Sequence, residues 1–308
     1  MESHAATILE PRPALPRRRR LCYSGHIGYR ERILACHSAD ATAFVPWTVD
    51  GHAAGFVHRA RLPLLLAPGM PFTETVAGAR LAEGDVATRS AALGHAVAAL
   101  GARGELRAPL GEIYPVLDLA TQAELARIDR VAVPWFGVLA RGVHLNGFVR
   151  TRGGTHLWIA RRAAGKRTFG GHLDNVVAGG QGVGFDALAT LVKECGEEAA
   201  IPPALAVQAT RTGVLAYRQQ DGLALKVDQL HCYDLELPPD FVPRPVDGEV
   251  ECFEPWPAAE VAASLRGDAL WKPNCALVAL DFLLRHGLLD HELPAAERHA
   301  LWRALRTG

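Results

Sequence analysis

The chain has 308 residues, 49% of them apolar, which is enough for a sizeable core and for two domains of ordinary size. Its 33 Lys and Arg balance 33 Asp and Glu, and this zero formal charge argues against a general nucleic-acid binder or a basic membrane-surface binder. No apolar run approaches the ~20 residues that span a bilayer, and Cys22, Cys36, Cys195, Cys232, Cys252 and Cys275 show neither a CxxC pair nor zinc spacing, so a reduced, cytoplasmic protein is expected.

Residues 1–28 carry Pro11, Pro13 and Pro16 ahead of Arg17–Arg20 and read as a flexible arm. Transit peptides are also Arg-rich, but they are poor in acid, and Glu2 and Glu10 count against one. Residues 29–132 read as a small α/β domain. Tyr29–Ser38 has helical spacing, and Ala43–Val49 and Ala54–His58 form a hairpin across Asp50-Gly51. A short apolar run at Leu62–Leu66 follows, then a helix over Ser90–Ala102, a strand over Glu112–Leu117 and a helix near Ala123–Ile128. No catalytic constellation occurs in this stretch.

Residues 133–290 change to strands. Val143–Arg150 and His156–Ala160 form a hairpin across Gly153-Gly154, and Thr212–Tyr217 pairs with Leu223–Leu235 across Asp221-Gly222. Val250–Pro255 is a further strand, while Pro257–Leu265 and Asn274–His286 are helices. The order implies a mixed sheet between helices. Residues 291–308 add a C-terminal helix, Pro294–Arg306.

The most informative stretch is Gly179–Ile201, a Gly-rich loop followed by a helix with Glu194, Glu197 and Glu198 within one turn. At about 100° per residue, Leu188, Leu191, Val192, Cys195 and Ala199 form an apolar stripe. The three glutamates fall on an adjoining arc about 100° wide, so they rim a buried face. Asp186 is the expected N-cap. Glu194 and Glu198 repel as an i,i+4 pair, and a hard divalent cation with oxygen ligands reverses that sign. The plain alternative is an acidic surface turn with Lys193 paired to Glu197. Cys195, on the apolar stripe, reads as packing.

This stretch resembles the Nudix box, G-x5-E-x7-R-E-U-x-E-E-x-G-U, with Gly179, Glu194, Cys195, Glu197, Glu198 and Ile201 in place. Lys193 stands for its Arg, Phe185 for its first Glu and Ala200 for its last Gly. Further segments are similar to one Nudix subfamily: Gly142–Gly147, Leu157-Trp158-Ile159, Arg161-Arg162, Lys166, Thr168-Phe169, Asp174–Gly180, Asp247–Glu251, Lys272–Cys275 and Arg285-His286-Gly287. That subfamily has a characteristic N-terminal domain and resembles the thiamine-diphosphate-directed Nudix hydrolases found fused to thiamine pyrophosphokinase.

The resemblance implies an α/β fold: a Nudix-type α/β/α sandwich with a mixed sheet, preceded by the small α/β domain. It implies a Mg²⁺-dependent hydrolase, with Mn²⁺ as an alternative ion. Glu194, Glu197 and Glu198 are the expected metal ligands and, with Glu249, the catalytic set. Glu251, on the same strand face, is the alternative to Glu249. Arg162 and Lys166, with neighbouring Arg161, are expected to hold the diphosphate. Phe169, Trp271 and Asn274 are expected around the organic group, with a core role for Trp271 an equal alternative; for His144 and Asn146, on a predicted strand, structural roles are the default. The substrate implied is thiamine diphosphate or an oxidised or damaged form, cleaved to the monophosphate and phosphate. ADP-ribose or another nucleoside diphosphate derivative is the alternative substrate. An isopentenyl-diphosphate-isomerase-like enzyme needs a Cys where this chain has Val177–Gly180, and a non-catalytic metabolite sensor is the third class. The partner is thus a small-molecule diphosphate, with no nucleic acid and no membrane. The N-terminal domain is assigned a lid or a homodimer surface.

Overall fold

The computed structural model describes residues 27–307, so all of the arm expected at residues 1–28 except Ile27 and Gly28 lies outside the described residues. After α1 (Tyr29–Cys36), β1 (Phe44–Val49) and β2 (His52–His58) form the expected hairpin. Asp50 and Gly51 both take positive φ, 48° and 83°, as a tight Asp-Gly turn requires. The chain continues through α2 (Leu62–Leu65), β3 (Phe72–Glu74), β4 (Ala79–Leu81) and α3 (Val86–Ala102) to β5 (Ile113–Leu117) and β6 (Glu124–Asp129). The first four strands make a sheet in the order β2-β1-β4-β3, and β5 and β6 pair separately. Trp47, Leu65, Leu81, Leu93, Leu100 and Phe136 are fully enclosed between these elements. The Trp47 indole donates to the Phe136 carbonyl at 2.8 Å.

One expectation fails here. The segment near Ala123–Ile128 is strand β6, not a helix. Its buried Ala126 and Ile128 flank exposed Arg127, a period of two, and β5 supplies the pairing partner, with Tyr114 opposite Ile128.

The second body contains β7 (Leu139–Thr151), β8 (Gly154–Arg162), β9 (Leu173–Asp174), β10 (Val177–Gly180), α4 (Ala187–Ala199), α5 (Pro203–Ala206), β11 (Thr210–Asp221), β12 (Ala224–Glu236), β13 (Val250–Pro257), α6 (Ala258–Arg266), α7 (Pro273–Arg285) and α8 (Ala295–Ala304). The sheet runs β11-β12-β7-β8-β13, with β10 on β7 and β9 on β8. β12 is parallel to β7 and the other pairs are antiparallel, so the sheet is mixed as expected.

Strand β7 divides its pairing. Gly142 lies opposite Gly180 of β10, and Phe148 lies opposite Leu157 of β8. The sheet therefore opens where β10 leaves for α4. One face buries Val143, Leu145 and Trp158 against Leu191, Cys195 and Ala199 of α4. The other face buries Phe148, Leu157 and Ile159 against α6 and α7. This is the α/β/α sandwich that the element order implies. Helix α1, although it precedes β1, packs here: Tyr29, Ile33 and Cys36 join the α7 core, and Arg32 donates to the carbonyls of Leu265, Gly267 and Ala269 at 3.0, 2.8 and 2.9 Å. No helix among the described residues is long and apolar enough to cross a membrane.

Helix α4 starts as its sequence predicts, with Asp186 accepting the Ala189 amide at 2.7 Å. Leu188 is exposed, so the buried stripe begins one turn later, at Leu191. The helix ends on Ala200 in the left-handed conformation, φ 54° and ψ 27°. A β-carbon there costs roughly 1–2 kcal/mol, partly offset in the comparison with glycine by the latter's freer unfolded chain. Ala200→Gly is expected to stabilise the protein by about 0.5–1 kcal/mol, read from the urea midpoint; an unchanged or lower midpoint refutes strain at this cap.

Candidate functional site

Helix α4 brings two of its three glutamates to β10. Glu198 is buried, and its Oε2 accepts the Ala178 amide at 2.9 Å. Burial pushes its carboxyl up to about 8, Asp174 and Glu194 add to that rise, and the Ala178 hydrogen bond and Lys272 work against it. Glu194 is partly buried, and burial raises its carboxyl too, against the pull of Lys193. A side chain on Gly179 would overlap Cγ and Cδ of Glu194. The glycine that opens the box thus lies flat against the first of these carboxylates. Glu197 points outward and pairs with Lys193 at 2.5 Å, the contact expected of an acidic surface turn, and Lys193 also reaches Glu194 at 3.2 Å.

Glu249 precedes β13 and faces the same region. Its Oε1 pairs with Lys166 at 2.6 Å. Burial opposes its ionisation, but Lys166, Arg162 and Arg130 outweigh that and hold the carboxyl below its usual range. Its charge in turn acts on Glu194. Glu251 is exposed. Of the two alternatives, the structure brings Glu249 toward the box.

Arg162 is engaged elsewhere. Its Nη1 donates to Asp174 Oδ2 at 2.8 Å, inside the protein. Lys166, in the loop after β8, is partly exposed and paired with Glu249. Phe169 takes a positive φ of 55°, and the Lys226 ammonium sits 5.2 Å from its ring centre. Trp271 is buried in the α6–α7 core, with its indole donating to Ser264 Oγ at 3.1 Å, which matches the core alternative. Asn274 is half-buried, its Oδ1 beside the Cys275 thiol at 3.4 Å. His144 bonds the Asn175 side chain at 2.8 Å, and Asn146 donates to Asp234 at 3.1 Å; both are buried structural groups.

Two groups at the site escaped the sequence reading. Lys272, at the N-terminus of α7, reaches Asp174 Oδ2 at 3.3 Å, and its charge acts on Glu198 and Asp228. It lies within the Lys-Pro-Asn-Cys segment, so the motif carries its signal. Asp228 on β12 accepts a hydrogen bond from the Tyr217 hydroxyl. Burial raises its carboxyl against Tyr217, Lys226, Lys272 and Arg130. Nothing in the strand pattern separates it from other polar positions on β12.

The arrangement is chemically specific. Two carboxylates that burial disfavours as anions act on each other from one face of α4, with Glu249 acting on Glu194 and Lys272 on Glu198. Hard oxygen donors held in this way fit a hard divalent cation, which supplies the missing counter-charge.

Residues 28–140 match a family described as "Domain of unknown function (DUF4743)". The chain is 36% identical over 287 residues to "Nudix hydrolase 24, chloroplastic" of Arabidopsis thaliana, covering 91% of this chain and 78% of that protein. It is 36% identical over 278 residues to "Nudix hydrolase 20, chloroplastic" of the same plant, covering 86% and 74%. Among solved structures it is similar to DR0079 from Deinococcus radiodurans, with 22% identity and a TM-score of 0.41 over 54% of this chain and 97% of that one. The names of the two plant relatives place them in the chloroplast, which overturns the expectation of a cytoplasmic protein.

Two outcomes follow from the carboxylate geometry. Gly179→Ala should displace Glu194 and weaken binding of a divalent cation by about tenfold or more, read by calorimetry; wild-type affinity refutes the close-packing argument. The second concerns pH. The folded metal-free protein keeps the Glu198 proton up to about pH 8, whereas the unfolded chain releases it near the ordinary value of 4.5. The folded state therefore binds the extra proton, and this group's contribution makes stability fall as pH rises between those limits and level off above them. Glu198→Gln should flatten that part of the profile in thermal melts recorded with a chelator. A slope that survives the substitution assigns it to another group.

Proposed function

Because the chain belongs to the Nudix hydrolase family of enzymes, we propose that it is a Mg²⁺-dependent hydrolase of thiamine diphosphate or of its oxidised or damaged forms. Water adds to the terminal phosphorus, the P–O–P bridge breaks, and the products are the monophosphate and inorganic phosphate. The observation that carries the metal-dependent reading is the buried Glu198 beside Glu194, both raised in pKa by burial.

When bound, Mg²⁺ or Mn²⁺ neutralises phosphate oxygens and acidifies the attacking water. The remaining work falls to the chain. Glu194 and Glu198 would hold the cation, with Glu198 ionised in spite of its burial. Glu197, on the same turn, keeps Lys193 close to Glu194 and is the outermost candidate ligand. Glu249 stays ionised near neutral pH, and the oxygen not paired with Lys166 is available to take a proton from the attacking water. Lys166 can exchange Glu249 for a phosphate oxygen without leaving the cleft. Arg162 contributes by fixing Asp174 and, through it, Lys272.

The organic end of the substrate is read by chemistry. Thiamine carries a cationic thiazolium and an aminopyrimidine. Phe169 supplies a ring face, and Asp228 supplies a carboxyl able to donate or accept, according to its protonation, toward ring nitrogen and amino groups. An aromatic face with a polar partner suits the heads of both substrate classes, and the choice of thiamine rests on the motif resemblance. The Val177–Gly180 segment, which lacks a Cys, argues against the isomerase reading.

The test is an assay with Mg²⁺ over thiamine diphosphate, its oxidised analogues, ADP-ribose and isopentenyl diphosphate. Release of phosphate and the thiamine monophosphate is expected, with kcat falling about 10²–10³-fold in Glu198→Gln. AMP from ADP-ribose as the main product replaces the substrate assignment. Phosphate release at an unchanged rate in Glu198→Gln sinks the metal site, and no turnover of any diphosphate supports the sensor reading.

A further inference from the structure

The two adjacent glycines of β10 answer to different neighbours. Gly179 accommodates Glu194, whereas a side chain on Gly180 would collide with the hydroxyl of Tyr114. Gly180 does not have positive φ, so the backbone does not demand glycine there. What demands it is a residue of the N-terminal domain. Strand β5 docks directly on the loop of the box: the Val183 amide donates to the Ile113 carbonyl at 3.0 Å.

Tyr114 is 6% exposed, yet its hydroxyl has no hydrogen-bond partner among the described residues. The oxygen packs against Gly180 without being wholly sealed from solvent. A buried phenol ordinarily finds a partner, and this one lies close enough to Glu194 and Asp228 for their charges to act on it. Arg130, just after β6, stands over its ring with the guanidinium carbon 5.9 Å from the centre. Arg130 Nη1 donates to Glu112 at 2.6 Å, an exposed pair, and its charge reaches Glu249 and Asp228. Of the nearby cations of the second body, Arg162 and Lys272 are held by buried Asp174, Lys193 by Glu194 and Glu197, and Lys226 lies over the Phe169 ring, which leaves Lys166, paired with half-buried Glu249, to turn to a phosphate. A bound diphosphate carries several negative charges, and Arg130 can meet them by releasing a solvent-exposed partner.

We propose that the N-terminal domain forms one wall of the substrate cleft, with Tyr114 donating its hydroxyl proton and Arg130 its guanidinium N–H groups to the phosphate oxygens of the bound diphosphate. This rests on the reading that Glu194 and Glu198 gather cation and diphosphate opposite them. The bland alternative is a cation–π contact that merely packs β5 against β6.

Calorimetry on the full chain with Mg²⁺ and imidodiphosphate, a non-hydrolysable probe, separates these. Arg130→Gln should weaken binding by about tenfold or more and Tyr114→Phe by about three- to tenfold. Arg130→Lys should recover part of the loss, and melting midpoints should stay near wild type. Wild-type affinity in both Arg130→Gln and Tyr114→Phe, with binding lost in Glu198→Gln, overturns this inference and leaves the metal reading standing. Weakened binding in the first two with wild-type affinity in Glu198→Gln does the reverse. Lowered melting midpoints with unchanged affinity assign both side chains to packing, and no binding by the wild type overturns both ideas.

Discussion

Glu198 accepts the Ala178 amide at 2.9 Å while its own burial works against its negative charge. The rest of the site depends on that opposition. The hydrogen bond fixes the rotation of α4 against β10, and helix geometry then decides where Glu194 and Glu197 point. Both ends of the helix enforce the same rotation. Asp186 caps the start, and the left-handed Ala200 turns the chain so that Ile201 returns to the core, its amide bonded to the Cys195 carbonyl at 2.9 Å. Glycine at position 179 completes the fit, because the strand must pass Glu194 without a side chain.

A second constraint lies beneath the first. Asp174 sits in the interior and is held ionised against its burial by Lys272 and Arg162, with the Cys275 thiol and the Asn175 amide also donating to it. Each charge is costly to bury alone, so the group forms as a unit. It joins the end of β8, the short β9 and the first turn of α7. The loop carrying Lys166 and Phe169 springs from that junction, which places Lys166 against Glu249 ahead of β13. The cluster also brings His144, Asp174 and Cys275 within metal-binding reach of one another. Two cations already neutralise Asp174, so charge balance there is met by the protein itself.

Local periodicity carried much of this. The Asp-Gly hairpin, the Asp186 cap, the buried Leu191, Cys195 and Ala199, and the mixed sheet between helices all follow from residue spacing and turn chemistry. The angular argument put Glu194, Glu197 and Glu198 on one arc, but an arc does not say how far each side chain reaches, and only the two nearest β10 turn in. The strand at β6 was misread because six residues with apolar spacing fit either period until a partner strand is known. Arg162 and Trp271 show a different limit. A motif places a residue near a site, whereas Asp174 and Ser264, distant in sequence, determine what its polar atoms bond. Lys272 was hidden for the same reason: its importance comes from an acid brought to it by β9.

The N-terminal domain is the extreme case. Its residues 29–132 hold no catalytic constellation in their sequence. What it brings to the cleft is one phenol and one guanidinium, residue types common on any surface. They become distinctive only because β5 docks on the box loop and sets Tyr114 over Gly180. The missing side chain on one body and the unpartnered hydroxyl on the other are two halves of a single contact. A glycine pair in the box therefore reports on two domains at once: Gly179 answers to the helix that follows it, and Gly180 to a strand made long before it in the chain. Helix α1 also ties the bodies together, since its Tyr29, Ile33 and Cys36 belong to the α7 core while the chain leaving it builds β1 and β2. With the N-terminal body anchored at both ends of its sequence, the cleft wall is held by packing and backbone hydrogen bonds, and the groups that face the carboxylates need no closing motion to be in place.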